Sequence, residues 1–216
     1  MTEKKIEGDK KNRPMVELIA NAGETTADLF VSNPALKELP VVDWAFKVIK
    51  AFDEFRSWLL ARKIEKFLSE PSLIKAAEAN KMRERVLFDE DYAQDVGETL
   101  LMVLDKVTDF SKPVLLAKSY AAFLDGEIDQ YALAMLVHVI DISAIRDLEQ
   151  FIQQYVENPS EHQNEDTLWR ARLASSGLFS VYISGTLGGG GGGYDLAPLG
   201  ATLIKVLEYT GQKASD

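Results

Sequence analysis

Hydrophobic positions recur at helical spacing along most of the chain. Between Val41 and Leu68, the residues Trp44, Val48, Phe52, Phe55 and Leu59 follow one another at steps of three and four. Lys47, Lys50, Glu54, Arg56 and Lys63 fall on other faces, which is the pattern of an amphipathic helix. Pro40 suits a first-turn position before it. A helix of this length runs about 42 Å at 1.5 Å per residue. A weaker helical pattern precedes it at Met15, Leu18, Ile19, Ala22, Leu29 and Phe30, diluted by Gly23 and Thr25-Thr26 and closed by the turn signal Asn33-Pro34.

After Leu68 the pattern predicts a polar, mixed-charge helix around Ile74 to Val86. Another helix opens at Asp89-Glu90-Asp91, where carboxylates complement the helix dipole. Leu100, Leu101, Val103 and Leu104 mark the stretch from Val96 to Val107 as buried. Ser111 suits an N-cap, with Pro113 in the first turn of a helix reaching Leu124. Gly126 fits the left-handed position after that helix and Asp129 can cap the next, which makes an αα-hairpin. Tyr131, Leu133, Leu136, Val137, Ile140, Ile145, Leu148, Phe151, Ile152 and Tyr155 carry the apolar pattern onward. A break is expected near Asp141–Ser143, with Ser143 starting a second segment, and Asn158-Pro159-Ser160 ends the run.

The residues 160–166, all polar, read as a linker to a small C-terminal module. In that module a short helix at Leu168–Leu173 stops at Ser176-Gly177, and Leu178–Ile183 reads as a strand. Gly185 and the six glycines 188–193 read as a loop, because glycine runs suit neither helix nor strand. Tyr194-Asp195-Leu196 reads as the return strand, and Pro198 opens a last helix with Leu199, Leu203, Val206 and Leu207 on one face. The expected fold is therefore mainly α: a helical bundle with a small C-terminal module of helix, β-hairpin and helix. The expected divisions are a disordered charged leader at 1–13, the bundle at 14–159, the linker at 160–166 and the module at 167–216.

The segment Leu173–Phe179, followed after a loop by Tyr194-Asp195-Leu196-Ala197-Pro198-Leu199-Gly200, resembles the end of winged-helix domains. There a recognition helix runs into a strand and a wing returns into a final helix. Ala197 stands where that pattern has a capping Thr. The resemblance implies a DNA-contacting helix bearing Trp169, Arg170 and Arg172. More broadly, the Pro-led aromatic helix ending Arg62-Lys63-Ile64, the Asp125-Gly126-Glu127-Ile128 turn and the C-terminal hairpin resemble a class of uncharacterised bacterial helical proteins. Some of these are linked to mobile elements or phage defence.

Composition narrows the chemistry. Of 216 residues, 46% are hydrophobic, which supports a substantial core, and 27% are charged. Cysteine is absent, which removes disulfides and thiolate chemistry and suits a reducing compartment. The N-terminal MTEKKIEGDKKNRP lacks an apolar signal region, and no apolar run is long enough to span a bilayer, so a cytoplasmic location is expected. The net charge of −10 is concentrated in residues 84–149, and an acidic body repels phosphate backbones and anionic lipids.

Familiar catalytic patterns are missing. The glycine run is followed by Tyr194-Asp195 rather than by the Lys-Ser/Thr of a phosphate loop. Aligning Gly126 with a calcium loop places Ala121, Phe123 and Ala132 at ligand positions, which rules out that site. His138, between Val137 and Val139, reads as a core histidine, and His162 lies in the linker, so neither suggests a zinc site. No catalytic residue, cofactor or metal is expected. The leading expectation is a non-catalytic interaction or regulatory protein acting on a protein partner, itself or another. A winged-helix DNA-binding regulator using Trp169, Arg170 and Arg172 is the alternative. A third reading is peripheral membrane association through the face of Trp44, Val48, Phe52, Phe55 and Leu59, beside which six Lys/Arg and four Asp/Glu lie between Val41 and Leu68.

Overall fold

The computed structural model describes residues 33–39, 54–79, 90–158, 168–186 and 189–211. Among these, eight α-helices and one antiparallel hairpin make a mainly α protein. A 3-10 turn at Pro34–Glu38 precedes α1 (Glu54–Leu68), α2 (Pro71–Glu78), α3 (Glu90–Lys106) and α4 (Lys112–Leu124). Next come α5 (Gln130–Ile142) and α6 (Ile145–Ile152), which runs on into a π-helical turn at Gln153–Glu157. The C-terminal part is α7 (Leu168–Ser175), β1 (Phe179–Thr186), β2 (Gly189–Leu196) and α8 (Pro198–Glu208).

Local chemistry sets most of these boundaries. Asp129 Oδ1 accepts the Ala132 N–H at 2.8 Å and so caps α5. Gly126, at φ 76°, turns the chain out of α4. The break after Ile142 falls where expected, but Ala144 rather than Ser143 precedes α6, and Ser143 terminates α5 with an extended backbone. Ser111 occupies the N-cap position of α4 without a side-chain capping bond; its own N–H is accepted by Asp109 Oδ1 at 2.6 Å. The helix expected from Ile74 to Val86 runs instead from Pro71 to Glu78, with Glu70 capping it through the Ser72 N–H, and residues 80–89 lie outside the described set.

Helix α4 is the hub. It packs against α1, α2, α5 and α8, and nearly every residue from Leu115 to Leu124 is buried. A helix that is apolar on all sides needs neighbours on all sides. Leu60, Ile64, Phe67 and Leu68 of α1, Leu73 of α2, Leu100 and Leu104 of α3 and Leu136 and Ile140 of α5 complete the cover. The same continuous core includes Trp169, Leu173, Leu178, Phe179, Leu203 and Val206 of the C-terminal elements. The linker expected at 160–166 and the leader at 1–13 lie outside the described residues.

Lysines tie the helices together at their C-terminal ends. Lys63 Nζ donates to the Asp105 carbonyl at 2.7 Å, and Lys112 Nζ to the Asp141 carbonyl at 2.8 Å. Lys118 reaches the Leu207 carbonyl at 3.1 Å, Lys75 that of Thr210 at 3.0 Å, and Lys205 that of Glu127 at 3.0 Å. The last carbonyls of a helix have no intrahelical partner and carry the negative end of its dipole. A lysine from a neighbouring helix satisfies both needs at Asp105, Asp141 and Leu207, while the Thr210 and Glu127 carbonyls lie in the turns that follow helices. Lys63 and Lys112 are buried along their stems. Burial pushes the Lys112 amine below its ordinary range, against the opposing pull of Asp141 and Asp109.

His138 does not enter the core. It lies exposed on α5, rotated away from the buried face of Leu133, Leu136, Val137 and Ile140. The glycine run is not a loop either. Gly189–Gly193 make the first part of β2 and pair in register with Thr186–Tyr182 of β1, so only residues 187 and 188 separate the strands.

Candidate functional site

The C-terminal hairpin rises from an aromatic cluster. Phe179, the first residue of β1, meets Phe151 edge-on at 5.9 Å and Trp169 edge-on at 5.6 Å, with Tyr155 at 5.8 Å. Such tilted and edge-to-face contacts match the ring quadrupoles and add to the area buried. Gly177, at φ 89°, lets the chain reverse from α7 into this strand. The Ala197 N–H donates back to the Leu178 carbonyl at 3.0 Å, which fixes where β2 turns into α8.

The three residues expected to contact DNA are placed differently from one another. Trp169 is 2% exposed and belongs to the core. Arg170 is half-buried with its guanidinium 5.2 Å from the Trp169 ring centroid, and its Nε has no hydrogen-bond partner. Arg172 is engaged by α6: its Nε and Nη2 donate to the two carboxylate oxygens of Asp147 at 2.7 and 2.6 Å. Burial raises the Tyr155 hydroxyl above the ordinary tyrosine range, with Arg170 opposing and Asp195 reinforcing the shift. Of the stripe expected to face a partner or a membrane, Trp44, Val48 and Phe52 lie outside the described residues, as does the side chain of Phe55. Leu59 is half-buried at the margin of the α1 core face.

What sequence reasoning did not single out is the outer half of the hairpin. Pairing sets Phe179 opposite Leu196, Val181 opposite Tyr194 and Ile183 opposite Gly192. In an antiparallel pair, residues directly opposite share a face, and alternate residues along a strand share it too. One face therefore carries Phe179, Leu196, Val181, Tyr194 and Ile183 as a continuous apolar ribbon. Its base is in the core, and beyond the base it is uncovered: Val181 is 63% and Ile183 86% exposed. On the opposite face Tyr182 lies across Gly193, where an added Cβ would come within 2.5 Å of the tyrosine oxygen. The glycine strand thus gives an aromatic ring a flat bed, and cross-strand aromatic cover of glycine supports strand pairing.

No known protein family, curated protein or solved structure matches the chain.

Other surfaces offer less. A cleft of about 160 Å³ between α3 and α5, lined by Asp95, Val96, Leu100, Gln130, Leu133 and Val137 among others, is smaller than ordinary small-molecule pockets. Among the described residues, no group of three or more His, Asp or Glu is placed to hold a metal ion, and no helix is long and apolar enough to cross a membrane. Met102 and Tyr131 are exposed singly on α3 and α5, which is ordinary for a protein surface.

Proposed function

We propose that this is a non-catalytic interaction protein that works through protein–protein contacts, with the C-terminal hairpin as its contact element. The observation that carries this reading is the apolar ribbon leaving the core: Val181 and Ile183 stand exposed on one face of the strand, and Tyr182 is exposed on the other. Exposed strands with open edges and apolar faces are managed in most proteins by charge or by cover. An uncovered one is the chemistry of a binding surface.

The DNA-binding alternative finds less support, because Trp169 is in the core and Arg172 is held by Asp147. Membrane association rests on residues of which most lie outside the described set. A cytoplasmic setting is part of the proposal and is supported by the absence of cysteine. A regulatory role connected with mobile elements or phage defence rests on the sequence resemblance alone.

The test compares wild-type protein with a V181K/I183K double variant as bait against soluble extract. Both positions are exposed, so the variant is expected to fold normally. Proteins retained by the wild type and lost with the variant are the expected result. Identical retained sets would refute the hairpin as the contact element.

A further inference from the structure

We infer that the hairpin's apolar face is self-complementary and is covered by a second copy of this chain. The inference rests on the reading of the hairpin as a contact element and names its partner. Two observations choose a second copy.

The first is charge. From Leu173 to Tyr194 the sequence contains no Asp, Glu, Lys, Arg or His, although 27% of the chain is charged. With a net charge of −10 concentrated in residues 84–149, two copies repel one another wherever those acidic surfaces approach. The hairpin is where they can meet without opposing like charges. A neutral surface also gives an oppositely charged partner nothing to read, so recognition there has to work by shape and apolar contact.

The second is shape. On the ribbon face, β1 carries the bulky Val181 and Ile183, while β2 beyond Tyr194 presents only glycine, with Gly192 directly beside Ile183. A row of knobs lies next to a bare slot. A two-fold axis brings the knobs of each copy over the glycine positions of the other, which is the isologous contact of a symmetric dimer. An unrelated partner would have to supply both a matching knob and a matching slot; a second copy supplies them by symmetry. Gly192 also resists side chains of its own, since an added Cβ would lie 3.1 Å from the Tyr182 carbonyl oxygen.

The surface is small. Val181 and Ile183 together expose roughly 250 Å² per copy, so a pair buries about 500 Å², well below the 1,200–2,000 Å² of a standard stable interface. The association is therefore weak and concentration-dependent, with Kd on the order of tens to hundreds of micromolar.

Sedimentation equilibrium across that concentration range is the test. The wild-type weight-average mass should rise from 24.0 kDa towards twice that value, and Ile183→Lys should raise Kd more than tenfold while leaving the thermal transition unchanged. Because the chain has no cysteine, Ile183→Cys provides a second readout. A short bis-maleimide should link it into dimers, whereas Met102→Cys on α3 should remain monomeric under the same conditions. A wild type that stays monomeric throughout overturns the inference, and so does a dimer that Ile183→Lys leaves intact. Monomeric wild type together with hairpin-dependent retention of another protein overturns self-association but leaves the contact reading standing. Hairpin-independent behaviour in both experiments removes both.

Discussion

Replacing Arg172 by alanine tests how the C-terminal elements are held to the bundle. Asp147 lies in the first turn of α6 with its side chain 5% exposed, and Arg172 of α7 grips both of its oxygens while remaining 58% exposed. The two partners are therefore unequal. Without the guanidinium, a buried carboxylate loses its paired charge, a loss of about 3–5 kcal/mol when nothing compensates. The helix dipole at the start of α6 returns roughly 0.3–1 kcal/mol of that. Water entering from the exposed arginine side returns more, so the expected cost of Arg172→Ala is about 2–3 kcal/mol. The reverse change, Asp147→Ala, leaves a guanidinium that water already reaches, and should cost only about 1 kcal/mol. Urea denaturation separates the two. With a slope of about 2 kcal/mol per molar, the midpoint should drop by about 1 M or more for Arg172→Ala and by about 0.5 M for Asp147→Ala, with slopes unchanged. Equal losses, or an Arg172→Ala cost below about 0.5 kcal/mol, would show that the pair behaves as an ordinary surface bridge.

Two further predictions concern the end of the chain and the base of the hairpin. The Tyr209 hydroxyl donates to Asp125, and burial, reinforced by that bond, holds it well above the ordinary tyrosine range. The native state then keeps a proton that the unfolded chain releases near pH 10, so stability is intact below about pH 10 and falls as pH rises above it. Tyr209→Phe should lose about 1 kcal/mol at neutral pH and show a flatter alkaline decline, measured by urea unfolding across pH; parallel declines would count against the assignment. Gly200→Ala should destabilise even though alanine is favoured over glycine in a helix by about 1 kcal/mol. The new Cβ would lie 2.4 Å from the Leu178 carbonyl oxygen and 2.6 Å from Leu196 Cδ1, prising α8 from the hairpin base. A melting temperature lower by about 4–8 °C is expected for a loss near 2 kcal/mol, and an unchanged or higher one would refute the close packing.

Features governed by neighbouring residues were legible in the sequence. Asp129 as a cap, Gly126 as a left-handed terminator, the break after Ile142 and Pro198 at the head of α8 all act over a few residues, and all are found. The glycine strand was not legible because glycine carries no side chain and hence no strand pattern. It is held as a strand by β1 and by Tyr182 lying over Gly193. Nor could the partner of Arg172 be read, since Asp147 is 25 residues away. Arginine beside tryptophan on a short helix has the same local pattern whether it faces DNA or a buried carboxylate. The uncovered ribbon was within reach: Phe179, Val181 and Ile183 alternate along the strand, and the strand carries no charge to guard it.

The lysine ties also bear on the order in which the chain can be completed. Lys75 and Lys118 reach carbonyls at Thr210 and Leu207, separations of 135 and 89 residues. During synthesis the flank of the hub helix α4 that awaits Leu203 and Val206 stays open until residues 198–210 arrive, and Lys118 has only the more distant Glu70 carboxylate, at 3.9 Å, to answer it. Helix α8 thus closes a flank of the bundle that the earlier helices leave open, holding it by apolar contact and by lysines reaching across from α2 and α4.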